Sequence, residues 1–275
     1  MRSLAAYLLL VFLALFTLLP FLMLVRTSLE TGDIYRLSSW RDLVPGPPAP
    51  GTDRWEAYRE VFRRLPDLPR FFLNSALLCI LTVAFELVLA SLAAYPLARL
   101  EFPGKTAIMA CLLSTLMLPT QASMIVNFVT IRGLGLFDTL TAVWLPSSVT
   151  VFGIFLMRQA FLVIPRDLED AARIDGCNDF WIWARILVPL SRPALGTLAL
   201  FAFVSQWNNF LWPLVVLKTR SHFPVTVGLS YMASTFDAQF RLVAAGSVLA
   251  MIPILLVFLL LQRQFVGGLT RGAFK

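Results

Sequence analysis

Gln206, Trp207, Asn208, Asn209 and Trp212 crowd together just before Pro213, inside an otherwise apolar run. Amides in hydrocarbon are costly unless paired, so these must face another helix or a wet cavity. An amide can hydrogen-bond hydroxyls, and an indole offers a flat surface to the apolar face of a sugar ring. The same side chains could instead hold two subunits together by interhelical hydrogen bonds. On one continuous helix Gln206 and Asn209 share a face, as do Asn208 and Trp212, so the two pairs cannot both point at one solute. Other reactive side chains are few. Glu86 is the acid within a span. As a proton relay it would need titratable partners that the other spans do not offer. The alternative is a neutral or hydrogen-bonded structural carboxyl. His222, the single histidine, has no carboxylate neighbour in sequence, which argues against a Ser-His-Asp triad or a metal site. Gly104-Lys105-Thr106 ends like a phosphate-binding loop, but Arg99 stands where that loop needs its first glycine. Cys79, Cys111 and Cys177 have no metal-ligand spacing. The expectation is a chain with no cofactor and no engine of its own, driven by a partner or an ion gradient.

The elements that must position these residues are membrane helices. The chain is 58% hydrophobic and 14% charged. Six apolar stretches approach the roughly 20 residues of a helical crossing: Leu4–Val25, Phe71–Pro96, Ala107–Thr130, Thr139–Met157, Ala194–Leu217 and Leu242–Leu261. The expected fold is all-α, a polytopic membrane helical bundle forming a single transmembrane domain over 1–275. The runs are continuous, whereas a β-barrel needs alternating strands. Leu4–Val25 is too long for a signal-peptide core and no small-x-small cleavage pattern follows it, so it reads as a retained helix. The net charge of +7 is spread over every loop and interleaved with acids, as beside a membrane and not as on a nucleic-acid surface. Prolines 20, 119, 146, 213 and 253 fall inside the spans and should kink or break them. In the polar segment 26–70, the run Pro45-Gly46-Pro47-Pro48-Ala49-Pro50-Gly51 cannot be regular helix. After it, Asp53–Leu65 can form a short helix with Trp55, Tyr58, Val61 and Phe62 on one face. That helix would either cap a vestibule or lie at the membrane interface. Lys and Arg divide nearly evenly between the two sides, so charge bias hardly orients the chain.

The segment 158–193 is the exception, a charged and patterned stretch between two spans. Pro165 suits a helix's first turn, and Asp167, Glu169 and Asp170 follow where the helix dipole favours acids. Leu168, Ala171, Ala172 and Asp175 recur at helical spacing, the two alanines allowing a partner's backbone to approach closely. Gly176 is placed to end that helix in a left-handed conformation. Asn178 or Asp179 can then cap a second helix, Phe180–Val188, ended by Pro189. A plain amphipathic re-entry loop would not need so ordered a pattern. A polar helix–Gly–helix element held between spans has the form of a dock for a soluble partner.

These residues resemble the signature loop of importer-type ABC transporter permeases: Glu-Ala-Ala, three residues, Gly, nine residues, then Ile-x-Leu-Pro. The counterparts here are Asp170-Ala171-Ala172, Gly176 and Ile186-Leu187-Val188-Pro189, with Asp170 for Glu and Val188 for Leu. Asn74-Ser75, Ala94 to Lys105, Gly135 to Thr139, Trp207 to Phe210 and Gln262 to Ala273 are similar to the sugar-importer branch, in particular the second permease of the maltose type. The resemblance implies six spans in the cell (inner) membrane with both termini cytoplasmic. It implies a second, non-identical permease, two cytoplasmic ATPase subunits and an extracytoplasmic solute-binding protein as partners. It implies a sugar, a polyol or glycerol-3-phosphate as solute. Glu169, Asp170, Ala171, Ala172, Asp175, Gly176, Ile186 and Pro189 would then couple to the ATPase, and Gln206, Trp207, Asn208, Asn209 and Trp212 would lie on the solute path. An ion-coupled secondary transporter is the alternative. It would need more intramembrane charge and inverted repeats.

Overall fold

Apolar runs in lipid must satisfy their backbone within the segment, and helices do this. The computed structural model describes residues 2–29, 53–235 and 240–272, and within them the chain is helical with no strand. The Pro-Gly run at 45–51 lies outside the described residues. Three helices are long and apolar enough to cross a membrane: Ala6–Leu29 within α1 (Arg2–Leu29), α3 (Leu68–Arg99), and Phe240–Gln262 within α14 (Phe240–Gly272). Pro20, Pro96 and Pro253 are absorbed inside these helices without ending them.

Elsewhere the expected spans are broken, and proline sits at two of the three breaks. Ala107–Thr130 is not one helix. α4 (Lys105–Thr115) stops, Pro119 takes an extended conformation, a 3-10 turn follows, and α5 (Met124–Gly133) resumes. Proline removes one amide donor and biases the preceding residue away from helix. Thr139–Met157 divides into α6 (Leu140–Trp144), a 3-10 turn through Pro146, and α7 (Val151–Leu162), bent by 43°. The fifth stretch ends early. α11 (Arg192–Trp207) gives way at Asn208, and a short α12 (Leu211–Val216) carries Pro213.

The chain packs into two compact units. Residues 1–72 and 225–253 make the first, and residues 73–224 and 254–275 the second. In the first unit, α2 (Glu56–Arg64) buries Ala57 and Val61 and leaves Trp55 and Phe62 exposed, so only part of the expected apolar face turns inward. Tyr58 Oη lies 2.7 Å from Ser28 Oγ, joining α2 to α1, and Arg241 reaches Glu56 at 3.0 Å. A side chain at Gly228, in α13 (Val225–Thr235), would overlap the Phe71 ring. The apolar window of α1 is 0% buried. In the second unit, small residues on α3 (Ala90, Ala94, Ala98) let α7 pack closely through Ile154, Met157 and Phe161. Leu187 and Leu198 complete that core. Asp138, a non-glycine residue at φ +62°, accepts from the backbone of Lys218 and Thr219 and from Thr219 Oγ1. His222 Nδ1 stands 3.6 Å from the same carboxylate, a neighbour that only the fold supplies.

Candidate functional site

The helix–Gly–helix loop is built in the second unit. α8 (Asp167–Ile174) starts after Arg166, with Pro165 just outside its first turn. Gly176 takes φ +83°. The Cys177 amide donates to Ala172 O at 2.9 Å and the Gly176 amide to Arg173 O at 3.0 Å. This pair of bonds closes the helix end and needs a left-handed residue at the corner. Asn178 Oδ1 then accepts from the Trp181 amide at 3.0 Å, capping α9 (Asp179–Ile182). The second helix does not end at Pro189. It widens into a π turn over Trp183–Leu187 and continues as α10 (Val188–Leu190), so Pro189 lies inside it. The proline ring would clash with the carbonyl four residues back, Arg185, and the widened turn sits there.

The two faces of α8 differ. Leu168, Asp170, Ala171, Ile174, Asp175 and Gly176 are exposed, whereas Glu169 and Ala172 are buried. The two alanines therefore part: Ala171 faces outward and Ala172 joins the core of the unit. Ile186 and Pro189 are half-buried. Phe180 and Trp181 extend the outer apolar surface, and the Arg185 guanidinium lies over the Trp181 ring at 4.1 Å.

The inner face holds the loop to the membrane helix α3. Glu169 Oε1 lies 2.5 Å from Arg99 Nε, an ion pair with both side chains nearly fully buried. Arg99 Nη2 donates to Ile164 O at 2.8 Å. Burial pushes the Glu169 carboxyl up, and Arg99 followed by Arg173 pulls it the other way. Tyr95 Oη donates to Asp179 Oδ1 at 2.8 Å, and Arg173 bridges Asp170 and Asp179. Arg158 donates to Leu97 O at 3.0 Å, satisfying one of the last carbonyls of α3. Tyr95, Arg99 and Asp179 were not singled out as functional in sequence. Their partners lie far along the chain, and only the fold joins them.

A cavity of about 390 Å³ opens in the same unit. It is lined by Gln121, Ser123, Met124 and Asn127, by Pro146 and Ser147, and by Ser205, Asn209, Leu211 and Trp212. Asn209 and Trp212, three apart in sequence, both meet this space, so one member of each expected pair lines it, while Gln206 and Asn208 do not. The Trp212 indole N–H donates to Ala142 O at 2.9 Å, which fixes the ring. Gln206 and Trp207 are buried in the packing, and Trp207 stacks on Phe203 with ring centroids 5.6 Å apart. Asn208 is exposed, donates to Val204 O, and does not line the cavity. Gln121 and Asn127 were missed, yet the same cost of burying an amide in an apolar run would have marked them. Among the described residues, no charged side chain lines this space.

A family model described as the binding-protein-dependent transport system inner membrane component matches residues 86–271. The arabinooligosaccharides transport system permease protein AraQ of Bacillus subtilis is 38% identical over 75% of this chain and 73% of its own length. The lactose transport system permease protein LacG of Rhizobium radiobacter is 33% identical over 93% of this chain and 90% of its own. Among solved structures, a chain of a bacterial ABC transporter involved in the import of the acidic polysaccharide alginate superposes with a TM-score of 0.80. It is 25% identical, and 96% of both chains is covered.

Proposed function

The chain belongs to the family of binding-protein-dependent transport system inner membrane components, and from that premise we propose that it is one permease of an ATP-driven importer for a neutral saccharide. It forms half of the translocation path beside a second, non-identical permease. Two cytoplasmic ATPase subunits supply the energy, and an extracytoplasmic binding protein delivers the solute. The relatives' printed transport roles in arabinooligosaccharide and lactose uptake support the solute class. The observation that carries the reading to this chain is the cavity: amides and hydroxyls for sugar hydroxyls, one fixed indole for a ring face, and no charged side chain among the described residues. An uncharged wall favours a neutral sugar or polyol over glycerol-3-phosphate, whose phosphate calls for cationic or backbone donors.

In this reading the exposed face of α8, with Asp170, Ala171, Asp175 and Gly176, seats in the ATPase, and Phe180 and Trp181 widen the contact. That places 158–193 and both termini in the cytoplasm, 26–70 outside, and six spans between them, the third and fourth broken at proline. The apolar surface of α1 requires lipid or the second permease to cover it.

The test is uptake by the assembled importer in proteoliposomes. Asn209→Ala and Trp212→Ala should each lower uptake of a neutral oligosaccharide while assembly and binding-protein-stimulated ATP hydrolysis persist. Asn208→Ala should leave uptake unchanged. Full uptake in both cavity variants would remove the cavity from the solute path. Preferential uptake of glycerol-3-phosphate would overturn the neutral-solute reading.

A further inference from the structure

Glu86 lies in the middle of α3, 1% exposed. Its Oε1 accepts from the Thr150 amide at 3.1 Å and from Thr150 Oγ1 at 2.6 Å. Thr150 in turn caps α7, its Oγ1 accepting from the Gly153 amide at 3.0 Å. The first amides of a helix have no partner within it, so this is a cap in two tiers, the threonine on the helix and the carboxyl on the threonine. Gly153 leaves the room for it. A methyl group there would overlap Glu86 Oε1 and crowd Leu198 Cδ1 at 3.1 Å and Ala90 Cβ at 3.2 Å.

A cap alone does not account for this residue. Thr150 already caps α7, and a buried carboxyl is costly even when paired. Glu86 Oε2 is buried with no hydrogen-bond partner among the described residues. The neighbouring residue shows what the arrangement holds. Phe85 packs its ring against Trp144 with centroids 4.6 Å apart. Trp144 ends α6, before the 43° break, and Thr150 begins α7, after it. Two consecutive residues of α3 therefore grip the two sides of the break. Between the grips lie Pro146 and Ser147, which form part of the cavity wall.

We propose that Glu86 is a positioning residue for the solute path: with Phe85 it holds the broken span at its bend and so sets the Pro146–Ser147 wall of the cavity. The transport consequence rests on the importer reading above; the geometric one does not. The carbonyl oxygen of a glutamine can accept the same two bonds, so the charge is not required. Glu86→Ala leaves the Thr150 amide unsatisfied and frees the bend.

The experiment uses the assembled importer, with Glu86→Gln, Glu86→Ala and Thr150→Val beside the wild type. Solute moved per ATP hydrolysed should fall about tenfold in Glu86→Ala and in Thr150→Val, the scale of one buried donor left without a partner. Assembly and stimulated ATP hydrolysis should stay near wild type, and Glu86→Gln should stay within about twofold on every readout. Gly153→Ala should lose transport alone yet cost less in Glu86→Ala than in the wild type, because its tightest overlap is with the carboxyl. A second readout needs no transport. Spin labels at Asn127 and Ser147, with Cys79, Cys111 and Cys177 replaced, report the width of the cavity. Glu86→Ala should shift or broaden that distance, and Glu86→Gln should not. An unchanged distance in Glu86→Ala overturns the positioning role whatever uptake does. A Glu86→Gln variant as impaired as Glu86→Ala overturns it too, by making the charge and not the bonds the requirement. Absence of ATP-driven uptake by the wild type would count against the importer reading, while the label distances would still decide this one.

Discussion

Gly176 is a single residue on which the helix–Gly–helix corner turns. Its φ of +83° penalises any Cβ by roughly 1–2 kcal/mol, but beyond its two chain neighbours no atom of the described residues stands within 4 Å of where that Cβ would be. Backbone strain and partner contact can therefore be separated. Asparagine tolerates the left-handed region and valine does not. Gly176→Asn should keep much of the ATPase coupling that Gly176→Val loses, measured as solute uptake against stimulated hydrolysis. Equal loss in both would place the constraint in the partner's cleft. Asp138 gives a second residue-scale expectation. Burial alone would raise its carboxyl, but hydrogen bonds from Thr219 and Lys218 and the nearby His222 hold it down, to about 2. A depressed carboxyl contributes stability that is fully present above its unfolded value, about 3.9, and is lost as pH falls through the folded one. The stability gap between wild type and Asp138→Asn in detergent should be constant from about pH 8 to 5 and shrink between about pH 4 and 2. A gap that changes between pH 6 and 8 would mean another group governs this clasp.

α8 is a short helix, and eight residues do not hold a helix in water without packing. Its inner face supplies that through Ala172 and the Arg99–Glu169 pair. A buried pair contributes little beyond what apolar residues of similar size would, but removing one partner strands the other charge, at about 3–5 kcal/mol. Glu169→Leu should lower the thermal midpoint of the purified complex, and Arg99→Met combined with Glu169→Leu should restore most of it. A midpoint unmoved by Glu169→Leu would show that the pair is solvated. The double variant also asks whether the loop follows α3 through charge or through packing. If it folds but hydrolyses ATP without moving solute, the ion pair is the link.

At the scale of the whole molecule the question is which side each loop faces. Charge bias barely orients the chain, so the proposed topology rests on the docking loop. Single cysteines at 53 and 175, in a background without Cys79, Cys111 and Cys177, should label from opposite sides of right-side-out vesicles, 53 from outside and 175 only after permeabilisation. Labelling of 53 from the cytoplasmic side alone would reverse the orientation and remove the ATPase from reach of α8. The apolar window of α1, unburied within the chain, belongs to the same scale. An apolar window left unburied by the described residues implies surroundings that those residues do not provide.

Local chemistry and composition were legible without any fold. Apolar runs marked the membrane helices, and the acids, alanines and glycine of 167–176 marked a capped helix and its left-handed corner. The same residues carried the family resemblance. These are short-range properties, set by backbone sterics and by neighbours within one or two turns. What the tertiary structure decided was where continuity fails and which distant residues meet. Pro119, Pro146 and Pro213 all announced trouble in their helices, but proline is absorbed in α1, α3 and α14, sits in the breaks at Pro119 and Pro146, and at Pro213 lies within α12 after the break. The chain breaks at Asn208, and the cavity takes Asn209 from one expected pair and Trp212 from the other, leaving Gln206 and Asn208 out of its wall. Glu169 and Asp170 are neighbours of like charge, indistinguishable in sequence. Only the packing of α8 on α3 sends one inward to Arg99 and leaves the other on the surface.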